Sequence, residues 1–295
     1  MDAHSWNPGE RQLAATCSLR LFSWLALAWT ACGALGCTEF ADGTDELAAA
    51  ETALGAAPVD DWACLAESSS SPPVPVDRNR PLTYRGTWLD IGTRAPPPNL
   101  RARACGIADP TCSEPLTPFV AADASGVVQL TLYHGFVGYL EVTSDVTVPT
   151  MAFFPVTLTA DTSSVFQELV PRTLVQPTDF VNLALLNGIT LEPTAGYLAI
   201  FALNCAGKLT ENVEFSLNNQ GSAVRFYFSN NFPSITLQST TPDGQGGFVN
   251  VPGGVVTVAA TRVATRELVR TASIFTRSGW GSHIVLGPYG SPDSN

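Results

Sequence analysis

Short runs in which apolar and polar residues alternate occupy much of the chain from residue 82 to residue 286. In residues 100–105, for example, apolar residues alternate with arginines, and this two-residue period is that of a strand with one buried face. Gly, Pro and Asp separate the runs, as they do between antiparallel strands. The pattern predicts a mostly β protein of the sandwich type, with strands at residues 82–91, 100–105, 119–122, 127–133, 137–143, 151–158, 196–203, 213–217, 223–229, 235–239, 248–251, 255–261, 269–275 and 283–286.

One helix interrupts the strands, at residues 178–187. Thr178 is a suitable N-cap, Asp179 complements the positive end of the helix, and Gly188 is a common helix terminator. Residues 180–186 are apolar on most sides. We therefore expect the helix to be buried between sheets or between domains.

A hairpin pattern occurs twice in the chain. Asp123 and Gly126 precede an alternating strand in the first copy, and Asp243 and Gly246 do so in the second, where Gly254 turns the chain into the next strand. An Asp side chain can hydrogen-bond the backbone of its own turn, and Gly accepts a positive φ. The repetition predicts two similar domains.

The second copy resembles the carboxypeptidase regulatory-like domain, which is a transthyretin-like β-sandwich. The resemblance covers residues 193–265 and, more weakly, residues 80–145. It implies two tandem transthyretin-like or Ig-like sandwich domains, residues 78–192 with the helix at their end and residues 193–295. In the family this domain is a non-catalytic appendage. The residues that carry the resemblance are Asp243, Gly246, Phe248, Val251, Pro252, Gly253 and Gly254.

The N-terminal region has the pattern of a bacterial export signal. Two arginines precede an apolar run at residues 21–36, which is shorter than the roughly 20 residues of a membrane-spanning helix and has the length of a signal-peptide core. The end of this run, Ala-Leu-Gly-Cys, resembles the lipobox of bacterial lipoproteins, which implies cleavage before Cys37 and lipid attachment there. The alternatives are an ordinary cleaved signal and lipidation at Cys32, where Trp29 occupies a position that is usually aliphatic.

The predicted organisation therefore begins with a signal peptide at residues 1–36 and an acidic tether, rich in Ala, Ser and Pro, at residues 37–77. A lipidated N-terminus would attach the protein to a membrane. Thr38 follows the lipidated residue, and in enteric-type bacteria a residue other than Asp at that position directs lipoproteins to the outer membrane. The prediction is export through the secretory pathway and anchoring in the cell envelope.

Four cysteines remain after the predicted leader, namely Cys64, Cys105, Cys112 and Cys205. An even number in an exported protein favours two disulfides. Cys105 and Cys112 flank a turn-forming hexapeptide, which favours a local bridge and leaves Cys64 to pair with Cys205. Free buried thiols are the alternative. A zinc site is not expected, because there is no C-x-x-C and the histidines lie far apart in sequence.

Composition and motifs exclude several functions. The net charge of −11 argues against a nucleic-acid partner. Neither G-x-S-x-G nor H-E-x-x-H occurs, and the adjacent Ser282 and His283 should point to opposite faces of a strand. Calcium at the Asp123 or Asp243 turns is less favoured than a simple Asp turn. The sequence predicts no enzyme activity and no cofactor.

Exposed aromatic residues and arginines are the remaining candidates for binding. The period of residues 223–229 predicts that Arg225 and Tyr227 point to solvent, and Tyr139 and Trp280 are similar cases. Residues of this kind more often fill the edge of a sandwich than contact a ligand, so a ligand contact is the less favoured role of each. The leading prediction is a non-catalytic, lipid-anchored envelope protein with a structural, adhesion or partner-binding role. A carbohydrate- or peptidoglycan-binding module is the alternative, and a hydrolase of unidentified type is a weaker one.

Overall fold

The computed structural model describes residues 62–66, 75–154, 157–159, 172–230 and 232–288. In this part of the chain, no helix is long and apolar enough to cross a bilayer. The predicted signal peptide, Cys37 and most of the predicted tether lie outside the described residues. Lipid attachment therefore stays a prediction.

Strands make up most of the regular structure of the described residues, and the prediction of a mostly β protein is confirmed. A 3-10 turn at Ala63–Ala66 comes first. The other elements, in chain order, are β1 Asp77–Asp90, β2 Arg101–Gly106, β3 Val120–Ala121, β4 Val127–His134, β5 Gly138–Thr143, β6 Thr150–Phe153, β7 Arg172–Leu174, α1 Pro177–Leu186, β8 Gly196–Ala202, β9 Val213–Leu217, β10 Val224–Ser229, β11 Phe232–Ser234, β12 Gln245–Val251, β13 Gly254–Arg262, β14 Leu268–Thr276 and β15 Gly281–Leu286.

A continuous sheet connects the two halves of the chain. Among the described residues it has nine strands, in the order β11-β10-β12-β8-β15-β6-β5-β2-β3, and two three-stranded sheets, β4-β1-β7 and β14-β13-β9, accompany it. The last strand, β15, runs parallel to both of its neighbours, β8 and β6. Strands from both predicted domains thus belong to one sheet, within the single unit Ala57–Asn295. The division into two domains at residue 192 stays a prediction.

The small sheets cover opposite faces of the large sheet, so each half of the chain forms a sandwich. Neighbouring residues of β5 show this, because Leu140 joins the core under β4-β1-β7 whereas Tyr139 joins the core under β14-β13-β9. The first core includes Trp88, and the second includes Phe215 and Phe248, all fully buried. Each such side chain contributes about 1.5–3 kcal/mol by burial. The β-sandwich prediction is confirmed.

Helix α1 lies over the large sheet beside the first small sheet, and it differs from its prediction in two ways. The N-cap is Gln176 and not Thr178. The helix begins at Pro177, one residue before the predicted start, because the fixed φ of Pro suits the first helical position. Burial of the whole helix is also wrong, because Leu185 and Leu186 are 67% and 83% exposed. The sheet lies on one side of α1 only. Gly188, with a φ of +67°, follows the end of the helix.

The predicted strand at residues 235–239 is wrong. The chain turns back directly after β10, where Asn230 has a φ of +53°, and β11 pairs with β10 before that segment is reached. Beyond β11 the Ser234 hydroxyl accepts a hydrogen bond from the Thr236 backbone N–H. This local bond supplies a partner that a sheet would otherwise provide.

The two Asp turns have different structures. Asp123 Oδ1 accepts hydrogen bonds from the backbone N–H groups of Ser125 and Val127, and Gly126 has a φ of +80°. In the second turn Gly244 takes the positive φ, +61°. Gly246 lies instead within β12, where an added Cβ would be 2.7 Å from the Phe226 carbonyl oxygen.

Candidate interaction surface

Arg277, in the loop between β14 and β15, connects the two halves of the chain. Its guanidinium donates to Glu141 Oε1 at 2.5 Å, to the Tyr139 hydroxyl at 2.9 Å and to the Pro110 carbonyl at 2.8 Å. Glu141 is only 2% exposed, and Arg103 bonds its other carboxylate oxygen at 2.6 Å. Two arginines therefore compensate one buried charge, as buried carboxylates require.

Aromatic rings stack against the guanidinium groups of this region. The Arg277 guanidinium lies 4.8 Å from the ring centre of Trp280. Those of Arg101 and Arg103 lie 4.8 and 4.6 Å from the ring centre of Phe119. Stacking of this kind is favourable and also orders the long side chains. We call these five residues, Arg101, Arg103, Phe119, Arg277 and Trp280, the arginine–aromatic surface.

The arginine–aromatic surface differs in charge from the protein as a whole. The chain carries a net charge of −11, yet three arginines lie together here: Arg103 and Arg277 bond Glu141, and Arg101 bonds the Thr143 hydroxyl. The Arg103 and Arg277 side chains remain about one-fifth exposed, and Arg101 is exposed. Positive groups thus reach the solvent beside apolar rings, which suits a partner with carboxylates.

Tyr139 is buried, so its predicted exposure is wrong. Its ring packs against Phe153 and Phe275, and its hydroxyl donates to the Asp109 carbonyl oxygen at 2.7 Å. Burial, partly offset by Arg277, raises the pKa of Tyr139 to about 12. The side chain is a neutral hydrogen-bonding support for Arg277, beneath the surface that Trp280 shares.

Tyr227 is also buried, which reverses the prediction for β10. Its hydroxyl accepts a hydrogen bond from the Phe215 backbone N–H at 2.8 Å inside the second core. Arg225, on the same side of the strand, forms an ion pair with Glu214 at 2.7 Å, and that bond lowers the pKa of the Glu214 carboxyl. Aromatic residues lie on both sides of β10, and the more apolar side, that of Phe226, does not face the second core, so alternation predicted the wrong orientation.

The other side of β10 lines an apolar cavity of about 80 Å³ between α1 and the large sheet. Phe226 and Phe228 contribute from β10, Phe201 from β8 and His283 from β15. Ser282 is buried and lies on the opposite side of β15 from His283, as strand geometry requires. The two do not form a nucleophile–base pair.

Both predicted disulfides are present, Cys64–Cys205 and Cys105–Cys112. The first attaches the 3-10 turn to the segment after β8. Trp62, next to this turn, has its ring 5.3 Å from the guanidinium of Arg262 in β13. The second closes the loop that supports Arg277. Glu141 lies close to this second disulfide, but the sulfur atoms are bonded to each other and so are not thiolate ligands for a metal.

Most of the arginine–aromatic surface was missed in the sequence. Trp280 is the one member of this surface that the sequence analysis selected as a candidate for binding. A better signal is Glu141, because it interrupts an apolar strand, Gly-Tyr-Leu-Glu-Val-Thr, and a charge inside a sandwich requires a partner. The structure supplies Arg103 and Arg277 as those partners.

No protein-family model and no curated protein sequence matches the chain. Among solved structures, it is similar to the Bacillus anthracis TIE protein (13% identity over 70% of this chain and 34% of that chain, TM-score 0.23). It is also similar to the shaft pilin SpaA from Lactobacillus rhamnosus GG (10%, 72% and 98%, TM-score 0.22) and to a streptococcal ancillary pilin (12%, 70% and 68%, TM-score 0.20). The chain thus spans about a third of the Bacillus anthracis chain. At these TM-scores the similarity decides neither fold nor function, and the sandwich assignment follows from the sheets and cores themselves.

Proposed function

We propose that this protein is a non-catalytic, lipid-anchored module of the bacterial cell envelope, with a structural or adhesive role, and that the arginine–aromatic surface contacts a partner protein. The observation that carries the proposal is the group of three arginines stacked on Phe119 and Trp280 in an acidic protein. Carboxypeptidase regulatory-like sandwiches, which the second half resembles in sequence, have such non-catalytic roles.

The carboxylates with shifted pKa values support a structural role for the acidic residues. Hydrogen bonds from the backbone N–H groups, first that of Glu114, lower the pKa of Asp109 to about 2. A hydrogen bond from the Ser125 hydroxyl lowers that of Asp123. Both residues stabilise turns as carboxylates, whereas a general acid or base needs a pKa near the working pH.

The chemistry of the surface favours a protein partner with carboxylates. Arginine and large aromatic residues dominate the binding energy of protein interfaces, and side chains that are ordered in advance lose less entropy on binding. Here Phe119 is 36% exposed and stacks against both Arg101 and Arg103. Arg101 also donates a hydrogen bond from Nε to the Thr143 hydroxyl at 3.3 Å.

Photo-crosslinking in cells tests the proposed contact. A photoreactive amino acid at position 119 should crosslink to one partner protein, whereas the same group at Tyr133, whose ring lies 5.7 Å from the Arg78 guanidinium elsewhere on the protein, should not. Arg101→Ala should weaken binding of that partner about tenfold or more, which is the effect of a hot-spot residue. Arg78→Ala is the matched control. Equal crosslinking at both positions would refute the proposed contact surface.

The anchoring part of the proposal has a separate test. Replacement of Cys37 by Ala should move the protein from the membrane fraction to the soluble fraction, because stable anchoring depends on the acyl chains. Cys32→Ala should leave the distribution unchanged. Retention of the Cys37 variant in membranes would count against the lipid anchor and would leave the proposed contact surface unaffected.

A further inference from the structure

The apolar cavity under α1 has a floor of small residues. One row of residues crosses four neighbouring strands of the large sheet in register: Phe226 of β10, Gly247 of β12, Ala199 of β8 and His283 of β15. The two central members carry no side chain or only a methyl group, whereas an aromatic ring lies at each end of the row. The sheet surface is therefore hollow in the middle of this row.

Helix α1 covers this hollow without filling it. Phe180, Leu183 and Ala184 line the cavity from the helix. Within α1, which the structure describes in full, only Ala184 is buried, so a single methyl group occupies the buried position of the helix. A volume of about 80 Å³ remains between helix and sheet, and it is partly open to solvent. Protein interiors are normally packed without such gaps.

The wall and the rim of the cavity are apolar and uncharged. Aromatic rings from β8 and β10 form much of the wall, and none of the described residues that line it is Asp, Glu, Lys or Arg. Leu186 and Phe232, the chain neighbours of the lining residues Asn187 and Pro233, are 83% and 72% exposed. Exposed apolar residues that lie beside an apolar cavity are typical of a binding site for an uncharged ligand.

One polar group of the wall is available to a ligand. Gln245, at the start of β12, is half-buried and lines the cavity. Its side-chain amide forms no hydrogen bond within the described residues, whereas the Asn187 amide already donates to the Leu183 carbonyl oxygen at 2.9 Å. An amide offers both a donor and an acceptor, and a few such groups orient ligands in apolar pockets.

We propose that this cavity binds a small neutral molecule with an apolar end and one hydrogen-bonding group. The apolar end lies on the floor at Ala199 and Gly247, and the polar group bonds the Gln245 amide. An apolar cavity of about 150 Å³ binds benzene, so the volume of about 80 Å³ here encloses the end of such a ligand. The remainder of the molecule lies at the open side, near Leu186 and Phe232.

The site is separate from the arginine–aromatic surface. Tyr197 lines the cavity, whereas its neighbour in β8, Leu198, belongs to the second core on the other face of the large sheet. Arg277 bonds Tyr139, which also belongs to the second core. The cavity and the arginine–aromatic surface thus lie on opposite faces of the sheet, and the two proposals succeed or fail separately.

Fluorescence titration of the full chain tests the site. N-phenyl-1-naphthylamine, a neutral aromatic probe that fluoresces in apolar surroundings, should bind saturably at one site. Ala199→Leu, which fills the floor, should weaken binding at least tenfold without lowering Tm, because cavity filling is commonly stabilising. Ala184→Leu fills the cavity from α1 and should have the same effect, which keeps the test decisive if one variant fails to fold. Ala259→Leu, at a half-buried position of β13 outside the cavity, is the matched control and should bind as the wild type does.

Competition against the probe tests the role of the amide. Phenol and toluene have similar sizes, but only phenol can form hydrogen bonds. Gln245→Met removes the amide at similar volume and should shift the ratio of the two affinities about three- to tenfold toward toluene. An unchanged ratio would overturn the assignment of Gln245. A wild type without saturable binding, or filled variants that bind the probe as well as the wild type does, would overturn the site itself.

Discussion

Replacement of Glu141 by Gln should destabilise the protein substantially with almost no change in volume. The carboxylate accepts hydrogen bonds from Arg103 on one oxygen and from Arg277 on the other. A Gln side chain keeps one acceptor oxygen but presents an NH₂ group to the second arginine. Two donors then face each other, and two guanidinium groups share a buried site without a countercharge.

The magnitude follows from the burial of the three groups. Removal of one partner from a buried ion pair costs about 3–5 kcal/mol. Glu141 is 2% exposed, but the side chains of Arg103 and Arg277 are 23% and 19% exposed, so water can recover part of their hydration. We therefore expect a loss of about 2–4 kcal/mol in the free energy of unfolding, or a fall in Tm of about 5–15 °C.

Urea denaturation of the full chain, followed by circular dichroism, measures this loss from the shift of the midpoint at constant m-value. The matched control is Glu267→Gln, which removes a 44% exposed carboxylate 3.1 Å from Arg262 and should cost less than about 1 kcal/mol. If the two variants lose the same stability, the buried carboxylate does not hold the halves of the chain together.

Three further predictions concern covalent links, pH and backbone space. Removal of the Cys64–Cys205 disulfide by paired Ser substitutions should cost about 5 kcal/mol from chain entropy, because the two cysteines are 141 residues apart. Removal of the Cys105–Cys112 disulfide, with a separation of 7 residues, should cost about 2 kcal/mol. Urea midpoints of the two double variants compare these losses. The pKa of Asp109 is lowered to about 2, so its contribution to stability is present above pH 4 and is lost as the pH falls toward 2; Asp109→Asn should flatten the urea midpoint over that range. Gly247→Ala should prevent folding, as judged by circular dichroism, because its Cβ would lie 1.9 Å from the Leu198 carbonyl oxygen. The control is Gly188→Ala, whose Cβ would lie in open space at a φ of +67°. It should lower the free energy of unfolding by only about 1–2 kcal/mol.

Features that depend on neighbouring residues were predictable from the sequence. Alternation located most strands because the two-residue period is a local property of one strand. The disulfide pairing was predictable for a similar reason: the turn between Cys105 and Cys112 brings them within bonding distance, and only one further pair was left. The end of α1 at Gly188 was also a local signal.

Features that depend on which face of a strand is covered were not predictable. In β10 the Phe226 side lines the cavity under α1, and the Tyr227 side enters the second core. Both environments favour aromatic residues, so the sequence of the strand is compatible with either orientation. Only the position of β9, whose Phe215 N–H bonds the Tyr227 hydroxyl, decides between them.

The arginine–aromatic surface shows the same limit at longer range. Glu141 and Arg277 are separated by 136 residues in the chain, and they meet because β15 pairs in parallel with both β6 and β8. That pairing places the loop before β15 against β5. No local pattern in the sequence predicts this strand pairing. A buried acidic residue in a strand therefore predicts that a basic partner exists, while the identity of the partner follows only from the topology of the sheet. The Glu141→Gln variant tests this inference directly, because it removes the charge and leaves the topology in place.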